Sequence, residues 1–294
     1  MQKKYRSDCY YTFFHAPLEI EAWGGEVLFD PAGPPNAGEP FIRQSAQIEK
    51  LLVPRIEECS GLMRVLEATA RLHQAASGAI PIIGVVMSPF SVPVMQMGFE
   101  AYLQLLYFDR PRFEMLMQKN SEFCIAWANA QLKAGATAIC YFDPLASSFI
   151  IDKELYRQTG YRIAQQTLAK VNGPTAIHLA SAPALPMVDE IAALGAKVLG
   201  FSCVDDVAEI KQAAHEKICL LGNLNGIAMT HWSCAQAEQE VKSLLRQAAP
   251  GGGLILSDSH GEIPWPVKEE VLLCIAEAVE RWGTYPLACL TESA

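Results

Sequence analysis

Short apolar runs alternate with stretches of helical period along most of this chain. Runs at about 81–87, 137–142, 174–179, 197–202, 218–223 and 254–258 have strand length and stop on polar or turn residues. The clearest helical stretch between them is Pro111–Ala134, where Phe113, Met117, Cys124, Trp127 and Leu132 recur near the helical period. Pro111 suits its first turn and Gly135 its C-terminal cap. Asp205 or Asp206 is suited to cap a shorter helix with Val207, Ile210 and Ala214 as its inner stripe. Another helix closes over Glu190–Gly195, and Gly135-Ala136 and Gly195-Ala196 recur at equivalent helix-to-strand turns. Glu19–Trp23 reads as a short helix, Glu26–Phe29 as a small strand and Asp30–Pro40 as a loop rich in Pro and Gly.

Strands that alternate with helices predict an α/β fold, a (β/α)8 TIM-type barrel with its site at the carboxyl ends of the strands. Eight strands close such a barrel. Six are clear and a seventh is expected near Tyr5–Cys9, so the barrel is expected to be incomplete or irregular at its N-terminus. No linker divides the chain, and 1–294 is read as one domain.

Composition narrows the classes. Hydrophobic residues at 51% and charged residues at 19% mark an ordered chain able to bury a core. A formal net charge of −9 with no basic cluster excludes nucleic acid as the expected partner. The longest uncharged stretch, Ala79–Phe99, contains Pro81, Pro89 and Pro93, which break a spanning helix, so no membrane segment is expected. Nine cysteines without a CxxC pair, and no signal peptide at the start, point to the cytoplasm, with Cys140, Cys219 and Cys274 read as buried thiols.

The strand ends carry the candidate chemistry. His178 closes one run, Asn223 and Asn225 another, and Asp258 and His260 a third. Each has a plainer alternative: a hydrogen-bonded rim histidine, an ordinary Asn-Gly turn, a loop cap. Asp143, between Phe142 and Pro144, either orients substrate or caps its loop. Cys203 is either a ligand or core. Glu19 and Glu21, two apart in a helix, point to different faces, so only one reaches a mouth. His73, His215 and His231 are read as surface residues, and Met87, Met95 and Met97 as packing.

With these segments in order, the chain resembles the uroporphyrinogen decarboxylase superfamily, which includes the zinc-dependent methylcobamide:coenzyme M methyltransferases. The resemblance runs from about Asp8 to Trp282. It rests on Phe14-His-Ala-Pro-Leu-Glu-Ile-Glu-Ala-Trp-Gly24, Met87-Ser-Pro-Phe90, Lys133-Ala-Gly-Ala-Thr-Ala-Ile-Cys-Tyr-Phe-Asp-Pro144, Ile177-His-Leu-Ala180, Leu221-Gly-Asn-Leu-Asn225 and His260-Gly-Glu-Ile-Pro264.

The segment through Glu19 and Glu21 to Gly24 is similar to the methyltransferase branch. That branch implies a methyl group moved between a small thiol, ether or amine and a corrinoid carried by a partner protein. It also implies zinc bound by a His-x-Cys and a later Cys. Here His178 matches the histidine, Ala180 stands at the first Cys position and His260 at the later one. The resemblance thus leaves His178, His260 and Cys203, or a carboxylate such as Asp258, as the metal set. Asp143 and Asn223 are implied to position substrate, and Glu19, Ser88, Phe90 and Asn225 to contact it. The alternative is a decarboxylase of tetrapyrrole biosynthesis, in which Asp8 matches a catalytic aspartate; the Arg-rich loop of those enzymes is absent and Arg6 alone does not replace it. A second alternative is a member that has lost its chemistry and serves as a binding protein.

Overall fold

The computed structural model describes residues 2–12, 15–31 and 33–287. The resemblance motif beginning at Phe14 is therefore followed from His15, Phe14 itself lying outside the described residues. In chain order the first elements are α1 (Gln2–Tyr5), β1 (Tyr10–Tyr11), α2 (Pro17–Ala22), β2 (Val27–Leu28), β3 (Asn36–Ala37), α3 (Ser60–Ala76) and β4 (Ile82–Met87). There follow α4 (Pro93–Met97), α5 (Phe99–Phe108), α6 (Arg110–Lys133), β5 (Ala138–Phe142), α7 (Lys153–Gln158) and α8 (Gly160–Leu168). The last part comprises β6 (Thr175–His178), α9 (Val188–Ala193), β7 (Val198–Gly200), α10 (Val207–Ala214), β8 (Cys219–Leu224), α11 (Cys234–Ala248), β9 (Leu254–Asp258) and α12 (Glu269–Trp282).

All six apolar runs are strands within two residues of the expected bounds at each end. The seventh is displaced: Gln2–Tyr5 is a helical turn, and the strand is Tyr10–Tyr11, paired in parallel with Ile82 and Ile83. A strand of two residues has no period to read, which is why the pattern misplaces it. The architecture is the expected α/β class, with parallel pairing between successive β strands of the repeat. Among the described residues no helix is long and apolar enough to cross a membrane.

Two compact units emerge from the chain's contacts. One comprises residues 9–146 and 151–175. In it β4 pairs with β1 and with β5, Val85 facing Cys140 and Met87 facing Phe142. Helix α6 starts where Asp109 caps it, its carboxylate accepting the Arg112 N–H, and buries Phe113, Leu116, Phe123 and Trp127. The Gln131 side chain accepts the Val85 N–H and donates to the Val85 carbonyl, clamping this helix to β4. Met87 and Val92 pack with Ile20, and Met95 against them, so the methionines are core.

The other unit comprises residues 1–8, 147–150 and 176–294. Strands β6, β7, β8 and β9 pair in that order, all in parallel. Gly195, at φ 83°, turns the chain from α9 toward β7 in the left-handed region that glycine tolerates. Helix α10 is capped by Asp206, which accepts the Glu209 N–H. The N-terminal turn lies on α12 through Lys4–Glu269 and Arg6–Glu280 ion pairs, exposed and worth little energetically. Cys274 is not a buried thiol: it forms a disulfide with Cys234, joining α12 to α11.

Candidate functional site

The second unit carries its polar residues at the carboxyl ends of four adjacent strands. His178 ends β6 opposite Gly200 of β7; Asn223 and Leu224 near the end of β8 face Ser257 and Asp258 of β9. His178 is 2% exposed, and burial holds its imidazole down at about 4, against an upward pull from Asp258 and with a further push down from His260. It is therefore neutral at ordinary pH. Its Nδ1 accepts the Ala180 N–H at 3.0 Å. Gly200 makes room for the ring, since a Cβ there would lie 2.4 Å from His178 Cδ2.

Asp258 organises the neighbouring loop: its Oδ2 accepts the N–H groups of His260 and Gly261, each at 2.8 Å. Ser259 Oγ lies 3.1 Å from His260 Nδ1. The His260 imidazole is half-buried and placed by this turn, next to Gly226 of the preceding loop. Asn223 donates to the Ser202 carbonyl at 2.9 Å. Asp205, a cap candidate from sequence, instead accepts N–H groups from Ala184, Leu185 and Ser202, tying the loop after β6 to the loop after β7. The adjacent acidic pair 205–206 was the available signal: one member caps, and the other reaches back.

Several candidates have plainer duties than expected. Asn225 accepts the Ala228 N–H and starts a short 3-10 turn. Asp8 is exposed and precedes β1, which puts it at the amino end of that strand, away from the carboxyl ends where barrel sites form. Cys203 is half-buried in the loop after β7.

The remaining candidates lie in the first unit and are interior. Asp143 Oδ1 accepts from both Ser88 Oγ and Ser91 Oγ at 2.6 Å, stapling the loop after β4 to the loop after β5; among the described residues its Oδ2 has no hydrogen-bond partner. Burial pushes its carboxyl up to about 6, against those two hydroxyls. Ser88 is fully buried, so its hydroxyl serves Asp143 and not a substrate. Phe90 is fully buried too, packed edge-on against Tyr102, Phe113 and Tyr156. Glu19 faces inward while Glu21 is exposed, as their spacing requires; Glu19 accepts the Met87 N–H at 2.8 Å, and burial pushes it up to about 8. Ser88, Phe90 and Glu19, expected to contact substrate, are thus buried among packed side chains.

The expected metal set is not assembled. Among the described residues no group of three or more His, Cys, Asp or Glu side chains is placed to hold a metal ion. The Nδ1 lone pair of His178 is moreover engaged by a backbone amide. The donors as arranged do not fit zinc.

The model of the family described as uroporphyrinogen decarboxylase (URO-D) matches residues 1–282. The chain belongs to the uroporphyrinogen decarboxylase family. Among curated relatives, the uroporphyrinogen decarboxylase of Sodalis glossinidius is 25% identical over 262 residues, covering 82% of this chain and 70% of that protein. The Yersinia pestis enzyme of the same name is 24% identical over 280 residues, covering 88% and 74%. Among solved structures, a methyltransferase from Methanosarcina mazei superposes with a TM-score of 0.85 at 20% identity, over 96% of this chain and 83% of that one. A B12-independent methionine synthase from a Shewanella species follows at TM-score 0.59 and 11% identity, covering 95% and 84%. At these identities the superpositions establish the fold, an incomplete member of the (β/α) barrel class, and nothing finer.

Proposed function

We propose that this family member moves a methyl group between a small uncharged substrate and a corrinoid carried by a partner protein, at the carboxyl ends of β6–β9. One observation carries the proposal. The segments that follow the seven parallel strands, residues 12–16, 88–92, 143–152, 179–187, 201–206, 225–233 and 259–268, contain no arginine and one lysine, Lys268. A tetrapyrrole precursor bearing several carboxylates requires guanidinium or ammonium partners. Arg6, the nearest candidate by sequence, precedes β1 and so lies outside the segments that follow the strands. The second unit's loops instead expose Val204, Ile227, Ile263 and Trp265, an apolar rim suited to an uncharged substrate or a flat macrocycle.

Within this reading His260 is the proton donor. As the bond from methyl carbon to heteroatom breaks, its electron pair stays on the heteroatom, and a proton from His260 neutralises it. The electron pair for the new bond to the methyl carbon comes from the reduced corrinoid. Asp258 holds the His260 main chain and Ser259 contacts its imidazole, and Asn223 braces the loop after β7.

The test is to incubate the protein with methylated corrinoid and a panel of small thiols, amines and alcohols, the demethylated forms of thioethers, methylamines and ethers, following loss of the methyl–cobalt absorbance. Turnover with at least one acceptor is expected, with His260→Asn slower by about 10²–10⁴-fold. The names of the curated relatives favour a second reading, porphyrinogen decarboxylation. Conversion of uroporphyrinogen without corrinoid turnover would establish that reading and remove the first.

A further inference from the structure

We infer that this pocket works without a metal ion, because the Ala180 amide holds the His178 imidazole in a form with no lone pair to offer. The Ala180 N–H donates to Nδ1 at 3.0 Å. A ring nitrogen that accepts a hydrogen bond is unprotonated, so in the neutral imidazole the proton resides on Nε2. One lone pair is then engaged and the other nitrogen is protonated. A metal-bound histidine needs the opposite arrangement, with one nitrogen on the metal and the other donating its N–H to an acceptor.

Three features keep the ring in this state. Ala180 lies at φ 54°, where a residue with a Cβ pays about 1–2 kcal/mol, and a position held at that cost is fixed by its surroundings. A ring flipped about its Cβ–Cγ bond would set Cδ2–H against the Ala180 N–H and lose the bond. The ring also lies close against Gly200, where even a methyl group would come within 2.9 Å of Nε2, so it has little room to swing toward a third ligand. The alanine that stands where the resemblance leads one to expect a thiolate thus removes one ligand by its side chain and disables a second through its backbone.

This inference deepens the methyl-transfer reading by taking the metal out of it, yet its main readouts do not require that activity. The full chain is dialysed against zinc and its bound metal measured, while long-range proton–nitrogen spectra of the imidazoles are recorded before and after zinc. The expected result is no stoichiometric zinc and a His178 ring with an unprotonated Nδ1 and a protonated Nε2, unchanged by the metal. One zinc per chain that displaces the His178 signals would overturn the inference. His178→Gln is expected to leave metal content unaltered, and loss of a bound zinc in that variant would also overturn it. Should His178→Gln fail to fold, the spectra of the unaltered chain decide alone. Where methyl transfer is observed, it is expected to survive chelator; loss that zinc restores would refute metal independence and leave the transfer itself standing.

Discussion

Opening the Cys234–Cys274 disulfide is expected to cost this protein a large part of its stability. The bond joins the first residue of α11 to the middle of α12, with the Cα atoms 5.4 Å apart and the cysteines separated by 40 positions. In the chain-entropy account, closing a loop of that length removes about 13 cal/mol/K from the unfolded ensemble, or about 4 kcal/mol at 25 °C. Spread over the unfolding entropy of a chain of this size, that is a drop of about 6 °C in Tm if the chain unfolds as one cooperative unit. Both cysteines are half-buried, so a reductant reaches them without global unfolding. The assay pairs thermal unfolding with thiol counting, with and without reductant, on the natural chain and on Cys274→Ser. Reduced natural protein and Cys274→Ser are expected to melt together, below the oxidised form, and reduction is expected to release two additional thiols. Equal melting of all three forms, with no gain in thiols, would refute the cross-link. In a reducing compartment the pair stays as thiols and the gain is absent.

Three further outcomes follow from the buried polar groups. Gly200→Ala is expected to displace the His178 ring and cost about 1–3 kcal/mol in urea unfolding, as overpacking does; an unchanged midpoint would contradict the close approach. Asp143→Ala strips two buried serine hydroxyls of their acceptor and is expected to cost about 2–3 kcal/mol by the same assay, whereas a neutral effect would show that the staple between the two loops is unimportant. The folded state holds the Glu19 proton more tightly than the unfolded chain, so the stability this contributes is complete below pH 4.5 and is lost as pH rises through about 8. Glu19→Gln keeps an acceptor for the Met87 N–H and is expected to gain about 1–3 kcal/mol over the natural chain at pH 9 with little difference at pH 5; parallel pH–stability curves would argue that Glu19 is ionised in the fold.

The strands were legible because each is a largely apolar run bounded by turn residues, and burial of consecutive residues in β4 and β5 makes those runs continuous instead of alternating. Helix α6 was legible for a complementary reason: Phe113, Met117, Cys124 and Trp127 bury one face over 24 residues. Strand β1 escaped notice because it is two residues long and its evidence lies in its partner, β4. The disulfide escaped because its cysteines belong to different helices, and spacing in sequence does not report helix packing.

At the site, the pattern of strand ends picked out His178 and His260 but not their states, and the distinction decides the chemistry. Residue type alone says that Ala180 lacks a thiol, which leaves open a zinc site completed by other donors. In the metal-free proposal the backbone closes that option, because the amide of the same residue engages Nδ1 of His178. Likewise Asp143, Ser88 and Glu19 have the polarity that substrate contact demands, yet Asp143 and Ser88 join the loops after β4 and β5, and Glu19 joins α2 to β4, in the interior. A buried carboxyl raised by desolvation is a common mark of an active site. In the first unit that mark falls on Asp143 and Glu19, where burial among packed side chains produces it. The proposed proton transfer falls instead to the half-buried His260, since a proton donor must meet its substrate and therefore stay within reach of solvent.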